Sequence, residues 1–584
     1  MKRLMYNWAN PIKKEFPFFI INCLFLFQNT VFAVREWSVI SFITFFTSTI
    51  LYSYIATSII YCLKSKLLKW ILYCIGLIFC FVNLFLYLQF ATRISPNIIQ
   101  LLIETNTQES SDFIRSYLSN GFFLIVLTIA FFSLLSIIII ERYKCELNKI
   151  NKLFKFVFLF LLIGGFISIS RFYCSLMSCK NTIEVDEWIG RFEARPMDNL
   201  SNFVYCIYDI NLMKKEITDA IKVTELDNDS TLLLSDSINI ILVIGESFNK
   251  HHSNLYGYYL NTNPTLTCEQ KNGRLFVFTN AFSLYNLTSK VIRNMMSTNS
   301  IGESENWADR PFFPAIFKKA GYCVYFWDNQ YNPLAREGFD FSLNSYLHNP
   351  IIEKLSYTET NSRIYGLDHE LTDDYFQKIK QREGSSFFSI FHLMGQHFSY
   401  YHRFPHTKDF FYYAVDSIRR DAVFLTDEMC HVISDYDNAT RYNDYVIGNI
   451  INYYSSKKSV LVYLSDHGEE VYDYRNHYGR SWEKPITLSM IKYQYEIPFV
   501  IWCSDEYKKQ YPDKIEAIKA SLNKPFTSDN ICHLLFNLGC VKTKYYIPDR
   551  DIINNKYKCP PIKINDYLCP IENGNDIPVG SKYQ

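Results

Sequence analysis

The sequence carries almost no excess of charge of either sign. Its 59 Lys and Arg residues are matched by 58 Asp and Glu residues, so the formal net charge at pH 7 is +1. Proteins that bind nucleic acid concentrate positive charge on one surface, and this balance therefore indicates no nucleic-acid partner. The sequence also lacks internal repeats and low-complexity tracts. Its 584 residues leave room for more than one domain of about 150 residues.

Apolar residues crowd the first 175 positions, in runs long enough to cross a bilayer, which takes about 20 helical residues. We therefore predict a transmembrane domain at residues 1–172 with five helices. Gln28 and Asn29 interrupt the first run, and Val31 to Ala33 would also suit a signal-peptidase site, so a cleaved signal peptide is the alternative for this run. The five runs are 17–34, 38–62, 69–92, 121–140 and 153–172.

Basic residues concentrate in alternate loops of this region, which by the positive-inside rule are cytoplasmic. With five spans, everything after about residue 173 then lies outside the cytoplasm. The basic residues in question are Lys2, Arg3, Lys13, Lys14, Lys64, Lys66, Lys69, Arg142, Lys144, Lys149, Lys152 and Lys155. Residues 173–237 scatter aromatic side chains among charges, which favours an interfacial linker over a packed domain.

From residue 238 onward, strand-like runs alternate with helical ones, which is typical of βαβ units around a mostly parallel sheet. We predict one extracytoplasmic α/β domain at residues 238–584, with helices covering both faces of the sheet. The predicted strands are 238–245, 275–282, 322–327, 386–393, 459–465 and 497–502. The predicted helices are 288–297, 311–320, 367–382, 410–456, 505–521 and 527–538.

Three predicted strands end in side chains that bind metals. Glu246 follows NIILVIG, Asp466 and His467 follow LVYLS, and the run from Phe387 reaches His392 and then His397. Ligands of open α/β sheets collect beyond the carboxyl ends of the strands, so these side chains predict one shared metal site. Gly468 follows His467 and lets the backbone turn tightly.

Thr288 is a candidate nucleophile, because a divalent metal can activate a hydroxyl group and the start of a predicted helix favours a phosphate. The alternative is that Thr288 or Ser289 only caps the helix. His477 lies ten residues beyond His467, near enough to return to the same site. His392, His402 and His406 compete with His397 for a role there.

These segments resemble the membrane-bound phosphoethanolamine transferases, which modify lipid A and lipopolysaccharide with an alkaline-phosphatase/sulfatase-like catalytic domain. The resemblance covers nearly the whole chain. It rests on NIILVIGES, NLYGY, LTSKVIRNMMS, KKAGYCVYFWDNQ, HLMGQHFSYYHRFP, YDNATRYNDYVIGNII, SDHGEE and EIPFVIWCS.

The resemblance implies that Thr288 accepts phosphoethanolamine from phosphatidylethanolamine and passes it to a lipopolysaccharide acceptor. It implies that Glu246, Thr288, Asp466 and His467 surround zinc. His397 and His477 would hold phosphate or a second zinc, and Thr105 and Glu109 resemble a loop that binds the headgroup. The enzyme would lie in a bacterial inner membrane with its catalytic domain in the periplasm.

The sequence leaves the acceptor and the reaction open. His477 follows the Asp-His pair at a shorter spacing than in the best-known lipid A enzymes, which favours core sugars or other glycans as acceptors beside lipid A. Phosphoglycerol transfer, usually with manganese, is the first alternative, although the several histidines favour zinc. A non-catalytic envelope scaffold is the second. The Cys or Ser followed by Pro-Ser-Arg that sulfatases modify is missing near Thr288.

Overall fold

Most of the chain is described by the computed structural model. The described residues are 8–32, 39–90, 93–96, 98–99, 102, 121–143, 146–147, 150–191, 198–227, 231–233, 237–299, 306–330, 346–379, 385–407, 412–418, 424–481, 486–558, 562–564 and 567–569. They divide into two compact units, Met1–Lys214 and Lys215–Gln584.

Five helices occupy the positions of the predicted membrane spans. Among the described residues, four of them are long and apolar enough to cross a membrane, and the first contributes only a shorter apolar helix, Phe16–Gln28. The Gln28 side chain, one of the two polar residues in this run, donates a hydrogen bond to the Cys80 carbonyl at 2.9 Å. The five helices are Phe16–Phe32, Val39–Leu63, Lys66–Phe90, Gly121–Tyr143 and Lys152–Ser178.

The predicted linker, residues 173–237, contains two helices, Thr182–Arg191 and Asn199–Leu226. The division between the two compact units falls within the second of these helices. The location of the linker at a membrane surface stays a prediction, as do the boundaries of the predicted domains.

The second unit is built on a sheet of seven strands whose spatial order is β2-β7-β6-β1-β5-β3-β4. These strands are β1 (Asn239–Gly245), β2 (Leu275–Phe278), β3 (Cys323–Asp328), β4 (Glu359–Thr360), β5 (Phe387–His392), β6 (Ser459–Ser465) and β7 (Phe499–Cys503). Strands β6, β1, β5, β3 and β4 run parallel, whereas β7 is antiparallel to both of its neighbours. The predicted, mostly parallel α/β sheet is therefore confirmed, with one antiparallel strand near an edge.

Both faces of the sheet are covered, as the nearly continuous apolar strands require. Ile241 and Val243 of β1 belong to a core shared with the helices Asp368–Ile379 and Asp427–Tyr454. On the other face, the Phe388 ring of β5 stacks on Phe317 of the helix Phe313–Lys319, with ring centroids 4.2 Å apart. The remaining helices of this unit are Pro264–Lys271, Thr288–Met296, Pro350–Ser356, Leu488–Met490, Asp505–Gln510, Pro512–Lys519 and Ile531–Leu538.

Most predicted elements begin or end within a few residues of the observed ones, and three differ more substantially. The predicted strand 275–282 is two strands in the structure. Leu275–Phe278 pairs with β7, whereas Ala281 and Phe282 pair with Phe526–Thr527. The predicted helix 410–456 begins only at Asp427, where the Thr426 side chain caps it. The predicted helix 505–521 is two helices, because Pro512 has no N–H group to continue the first one.

Candidate active site

The carboxyl ends of β1 and β6 bring three potential metal ligands together. These two strands are neighbours, and Gly245 and Ser465 are paired at their ends, so the next residues of each strand meet. One ligand atom from each of Glu246, Asp466 and His467 lies within 4.8 Å of the others, and all three residues are buried. The tertiary structure thus joins side chains that lie more than two hundred residues apart in the sequence.

The Asp466 carboxylate is anchored through one oxygen only. Its Oδ1 accepts hydrogen bonds from the backbone N–H groups of Ser247 at 2.9 Å and His467 at 2.7 Å. Its Oδ2 is buried and receives no hydrogen bond from the described residues. That oxygen lies 3.1 Å from His467 Nε2. A buried carboxylate oxygen without a donor is costly unless a cation satisfies it.

The His467 imidazole presents a lone pair to the same point. Its Nδ1 lies 2.9 Å from the Gly468 carbonyl oxygen, which only accepts hydrogen bonds, so Nδ1 carries the proton. Burial, with the positive charge of Arg480, lowers the pKa of His467 to about 4, so the ring is neutral near pH 7. Nε2 then faces the oxygens of Asp466 and Glu246, the latter at 3.5 Å. A buried site in which hydrogen-bond acceptors face one another in this way is suited to a bound cation.

The two carboxylates of the cluster also oppose each other electrostatically. Burial raises the pKa of Asp466 well above its usual range, and the neighbouring Glu246 carboxylate raises it further. Burial acts on Glu246 in the same direction, but His467, His397 and Arg480 outweigh it and hold the pKa of Glu246 below its usual range. A divalent cation would keep both groups ionised by replacing this repulsion with attraction.

Thr288 brings a hydroxyl group to this cluster. It is the first residue of the helix Thr288–Met296, and Leu287 occupies the cap position without a side-chain hydrogen bond, so the predicted capping alternative is not found. Thr288 Oγ1 donates to Glu246 Oε2 at 3.1 Å and lies 3.4 Å from His467 Nε2. The hydroxyl is partly buried, at a helix N-terminus whose N–H groups favour an anion.

Close backbone packing explains why glycine follows His467. A Cβ atom at Gly468 would overlap the Tyr493 carbonyl oxygen, so no larger residue fits without a backbone shift. The Gly468 N–H donates to the Gln494 carbonyl at 2.9 Å, which fixes the turn after the metal ligands. Ser247, on the other side of the cluster, has a φ of 57°, a left-handed conformation that non-glycine residues rarely adopt.

The predicted histidines are placed differently from one another. The N–H group of Gln396, the residue before His397, donates to the Glu246 carbonyl at 3.0 Å, and burial lowers the pKa of His397 to about 3. His392 instead binds Asp328 through Nδ1 at 3.0 Å. Neither His397 nor His477 belongs to the group of three described above, so their role as phosphate or zinc ligands stays a prediction. Thr105 and Glu109 lie outside the described residues.

Two residues at the site were not predicted from the sequence. Gln330, just beyond the end of β3, donates from Nε2 to Glu246 Oε2 at 3.0 Å and to the Leu393 carbonyl at 2.8 Å. Its position after a parallel strand was the signal that would have identified it. Arg480 places Nη1 3.1 Å from His467 Nε2. Arg480 is the last residue of the segment HYGR, which begins at His477. In the sequence its only signal was that it is a basic residue close to predicted ligands.

Comparison with known proteins identifies the family of this chain. A sequence model described as sulfatase matches residues 238–538, just over half of the chain. The chain belongs to the sulfatase family. The matched residues of this sulfatase-family protein include β1 to β7 and the whole cluster around Glu246.

Relatives of known activity cover more of this sulfatase-family chain. Phosphoethanolamine transferase EptC of Escherichia coli strain K12 is 24% identical over 492 residues, covering 81% of this chain and 80% of its own. Phosphoethanolamine transferase EptA of Helicobacter pylori is 29% identical over 278 residues, covering 47% and 49%. The structure of an integral membrane lipooligosaccharide phosphoethanolamine transferase A from Neisseria meningitidis covers 93% of this chain and 97% of its own, with a TM-score of 0.61 and 15% identity.

These relatives bear out the predicted resemblance to the membrane phosphoethanolamine transferases and the prediction that the protein is a transferase. At 15% identity the Neisseria structure supports the fold alone, and it confirms an apolar helical part followed by an α/β domain.

Proposed function

We propose that the protein transfers phosphoethanolamine from phosphatidylethanolamine to a lipopolysaccharide acceptor, a lipid A phosphate or a core sugar, through a covalent intermediate on Thr288. The observation that carries this proposal is the Thr288 hydroxyl, 3.1 Å from Glu246 Oε2 and 3.4 Å from His467 Nε2 at the edge of an anionic, buried cluster. The relatives named above support the transferred group, and the family resemblance supports donor and acceptor.

Zinc is the cation that this donor set favours. Two carboxylates, a neutral imidazole and a hydroxyl group form a mixed nitrogen and oxygen set of the kind that holds zinc in hydrolases. Glu246, Asp466 and His467 would hold the ion, with Thr288 as the fourth ligand. When bound, zinc supplies a positive charge that favours the alkoxide form of a coordinated hydroxyl group.

The protein's own residues orient the nucleophile for the two steps of the transfer. Glu246 Oε2 accepts a hydrogen bond from the Thr288 hydroxyl group, and this bond fixes the Oγ1 atom at the edge of the cluster. In the first half-reaction the Thr288 hydroxyl group gives up its proton to water and its oxygen bonds to phosphorus, while the bond from phosphorus to the glycerol oxygen breaks. The glycerol oxygen takes up a proton and leaves as diacylglycerol. An acceptor hydroxyl or phosphate oxygen then displaces Thr288, which regains its proton.

The proposed location is a bacterial inner membrane with the catalytic domain in the periplasm, where both lipids are accessible. It rests on the four long apolar helices and on the alternation of basic loops along the sequence. His397 and His477 are proposed to contact the phosphate, since the peptide of Gln396 brings His397 beside Glu246.

The test is the release of diacylglycerol from fluorescent phosphatidylethanolamine by the purified full-length protein in detergent with zinc. We expect Thr288→Ala to lower the rate by about 10³-fold or more, because the nucleophile is lost. Intact mass spectrometry should detect a phosphoethanolamine adduct on the wild type and none on the variant. Thr279→Ala is the matched control, since Thr279 is an exposed threonine of the same unit.

Each other outcome assigns a different function. Turnover of phosphatidylglycerol alone would identify a phosphoglycerol transferase, and no turnover of either lipid would support the non-catalytic scaffold. Full activity of Thr288→Ala would refute the proposed nucleophile. Mass spectrometry of envelope glycolipids from a deletion strain would identify the acceptor, and an unchanged profile would count against an envelope acceptor.

A further inference from the structure

Arg480 is a cation at the edge of the cluster with no role in the proposed function so far. Its Nη1 atom lies 3.1 Å from His467 Nε2, and the same His467 atom lies 3.4 Å from Thr288 Oγ1. The guanidinium and the hydroxyl group therefore share one neighbour, His467 Nε2. An anion that approaches Thr288 also approaches Arg480.

The backbone on both sides of Arg480 is fixed. Before it, Tyr478 and Gly479 pair with Val471 and Glu470 in a short antiparallel ladder. Gly479 has a φ of 92°, which glycine adopts without strain and which directs the chain toward the cluster. The backbone position at which the Arg480 side chain begins is thus set by local structure in the segment that follows the Asp466-His467 turn.

After Arg480, the chain is tied to the loop that carries the nucleophile. The Ser481 N–H donates to Gln494 Oε1 at 3.1 Å, and the Ser481 carbonyl accepts from Asn286 Nδ2 at 3.0 Å. Asn286 also donates to Gln494 Oε1 at 2.8 Å. Ser481, Gln494 and Asn286 are all buried, and Asn286 precedes Thr288 by two residues. One buried hydrogen-bond network therefore holds Arg480 in a set relation to Thr288.

The guanidinium of Arg480 makes no direct contact with a carboxylate in the part of the chain that the structure describes, although its positive charge acts at longer range to lower the pKa of Glu246 and of Glu469, against the rise that burial causes. Among the described residues it forms no ion pair, and its one hydrogen-bond contact is with a neutral imidazole nitrogen. Arg475, on the same loop, provides the contrast, because its guanidinium binds the Glu470 carboxylate through Nε at 2.7 Å and Nη2 at 2.8 Å. Arg475 has a structural partner, whereas Arg480 has donors left for a ligand.

We propose that Arg480 is a further catalytic residue whose guanidinium binds the non-bridging phosphate oxygens of the phosphodiester at Thr288. This inference rests on the proposed function, which supplies the phosphodiester. A guanidinium presents its N–H donors in a planar fork that matches two phosphate oxygens, and it stays protonated throughout. Arg480 is therefore assigned charge stabilisation and no proton transfer.

The chemistry of the transfer requires such a group. The donor phosphodiester carries one negative charge, and attack by the Thr288 oxygen adds charge to the non-bridging oxygens before the bond to the glycerol oxygen breaks. The same charge develops again when the acceptor oxygen attacks the phosphothreonine and Thr288 leaves. Arg480 would stabilise both transition states, since both place these oxygens beside the Thr288 Oγ1 atom.

The test compares Arg480→Gln and Arg480→Lys with the wild type, as zinc-loaded full-length proteins in detergent. Arg441→Gln is the matched control, because the Arg441 side chain lies over the Tyr413 ring, 5.5 Å from its centroid, in a different part of the unit. Binding of inorganic phosphate is measured by titration calorimetry, and zinc affinity is measured by competition with a chelator. Diacylglycerol release gives kcat and KM.

We expect Arg480→Gln to weaken phosphate binding about 10-fold or more and to lower kcat by about 10²-fold, with a smaller change in KM. Arg480→Lys should restore part of both, since it keeps the charge without the fork. Zinc affinity should be unchanged or higher, because no guanidinium then competes for His467 Nε2. Unchanged phosphate binding, or a loss of zinc affinity with it, would overturn the proposal and make Arg480 a support of the metal ligands.

The phosphate titration separates this proposal from the proposed function. If the wild type releases no diacylglycerol, the proposed transfer fails, whereas a difference in phosphate affinity between wild type and Arg480→Gln would still support an anion site at Arg480. If the wild type is active and Arg480→Gln keeps its full kcat, the transfer stands and the role of Arg480 is refuted.

Discussion

Replacing Asp466 by Asn tests whether the buried cluster is built for a cation. The side chains have nearly the same shape. In the variant, the amide oxygen can still accept from Ser247 N and His467 N, the bonds now made by Oδ1 at 2.9 and 2.7 Å. The amide NH₂ group then takes the place of Oδ2, 3.1 Å from the lone pair of His467 Nε2. A contact between two acceptors thus gains a donor, in addition to the Arg480 N–H group that lies 3.1 Å from the same nitrogen.

Opposite effects are therefore expected with and without metal. Without metal, the new hydrogen bond and the loss of one of two adjacent carboxylates should stabilise the variant by about 1 kcal/mol. With zinc at about 1,000 times the wild-type Kd, the wild type should gain about 4.1 kcal/mol. If loss of one ligand raises the Kd about 100-fold, the variant gains only about 1.4 kcal/mol at the same concentration.

The assay is thermal unfolding of the full-length protein in detergent, followed by the fluorescence of its buried tryptophans, in a chelator and in excess zinc. Asp466→Asn should have the higher Tm in the chelator and the lower Tm in zinc. Asp513→Asn, at an exposed aspartate in the first turn of the helix Pro512–Lys519, is the control and should change neither value. A variant with the full zinc-dependent rise in Tm would refute the cluster as a metal site.

Two further predictions concern the stability of the same unit. Gly468→Ala should lower the free energy of unfolding by about 1–3 kcal/mol, because its Cβ would overlap the Tyr493 carbonyl oxygen. Thermal unfolding measures this change. Gly366→Ala is the control, since the nearest atom to its Cβ is 3.8 Å away, and an equal effect of the two substitutions would contradict the prediction. Burial lowers the pKa of His533 to about 3. The unfolded chain therefore binds a proton below about pH 6.5 that the folded protein does not, and stability is lost as the pH falls from there toward 3. His533 should contribute a loss of about 2 kcal/mol between pH 7 and pH 5, and His533→Gln should flatten the dependence of Tm on pH; equal slopes in the two proteins would contradict this.

Much of the fold followed from local patterns. Continuous apolar runs such as Asn239–Gly245 and Ser459–Ser465 predicted buried parallel strands, and these strands are adjacent in the sheet. The bounds of elements were less predictable where tertiary pairing decides them. Phe282 continues the sequence pattern of β2, yet it pairs with the strand Phe526–Thr527. That strand lies more than two hundred residues further along the chain, so no local pattern could indicate the pairing.

Parts of the site were predictable for the same reason. Glu246, Asp466 and His467 follow strands of one parallel sheet, and parallel strands bring their carboxyl ends to one edge. Thr288 was a nucleophile or a helix cap by sequence alone, and only its contact with Glu246 separates the two. Gln330 also follows a strand end but carries a residue type with several ordinary roles.

The sequence by itself determined the fold class, the family and the strand ends that carry the metal-binding side chains, because hydrophobic periodicity and short motifs are local properties of a chain. The tertiary structure alone decided which atoms face one another: that Asp466 Oδ2 lies beside His467 Nε2, and that the guanidinium of Arg480 lies beside the same nitrogen. Those relations depend on side-chain direction and on which loops a buried network joins, as Gln494 joins Ser481 to Asn286. Such contacts are formed by folding and have no counterpart in the spacing of residues along the chain.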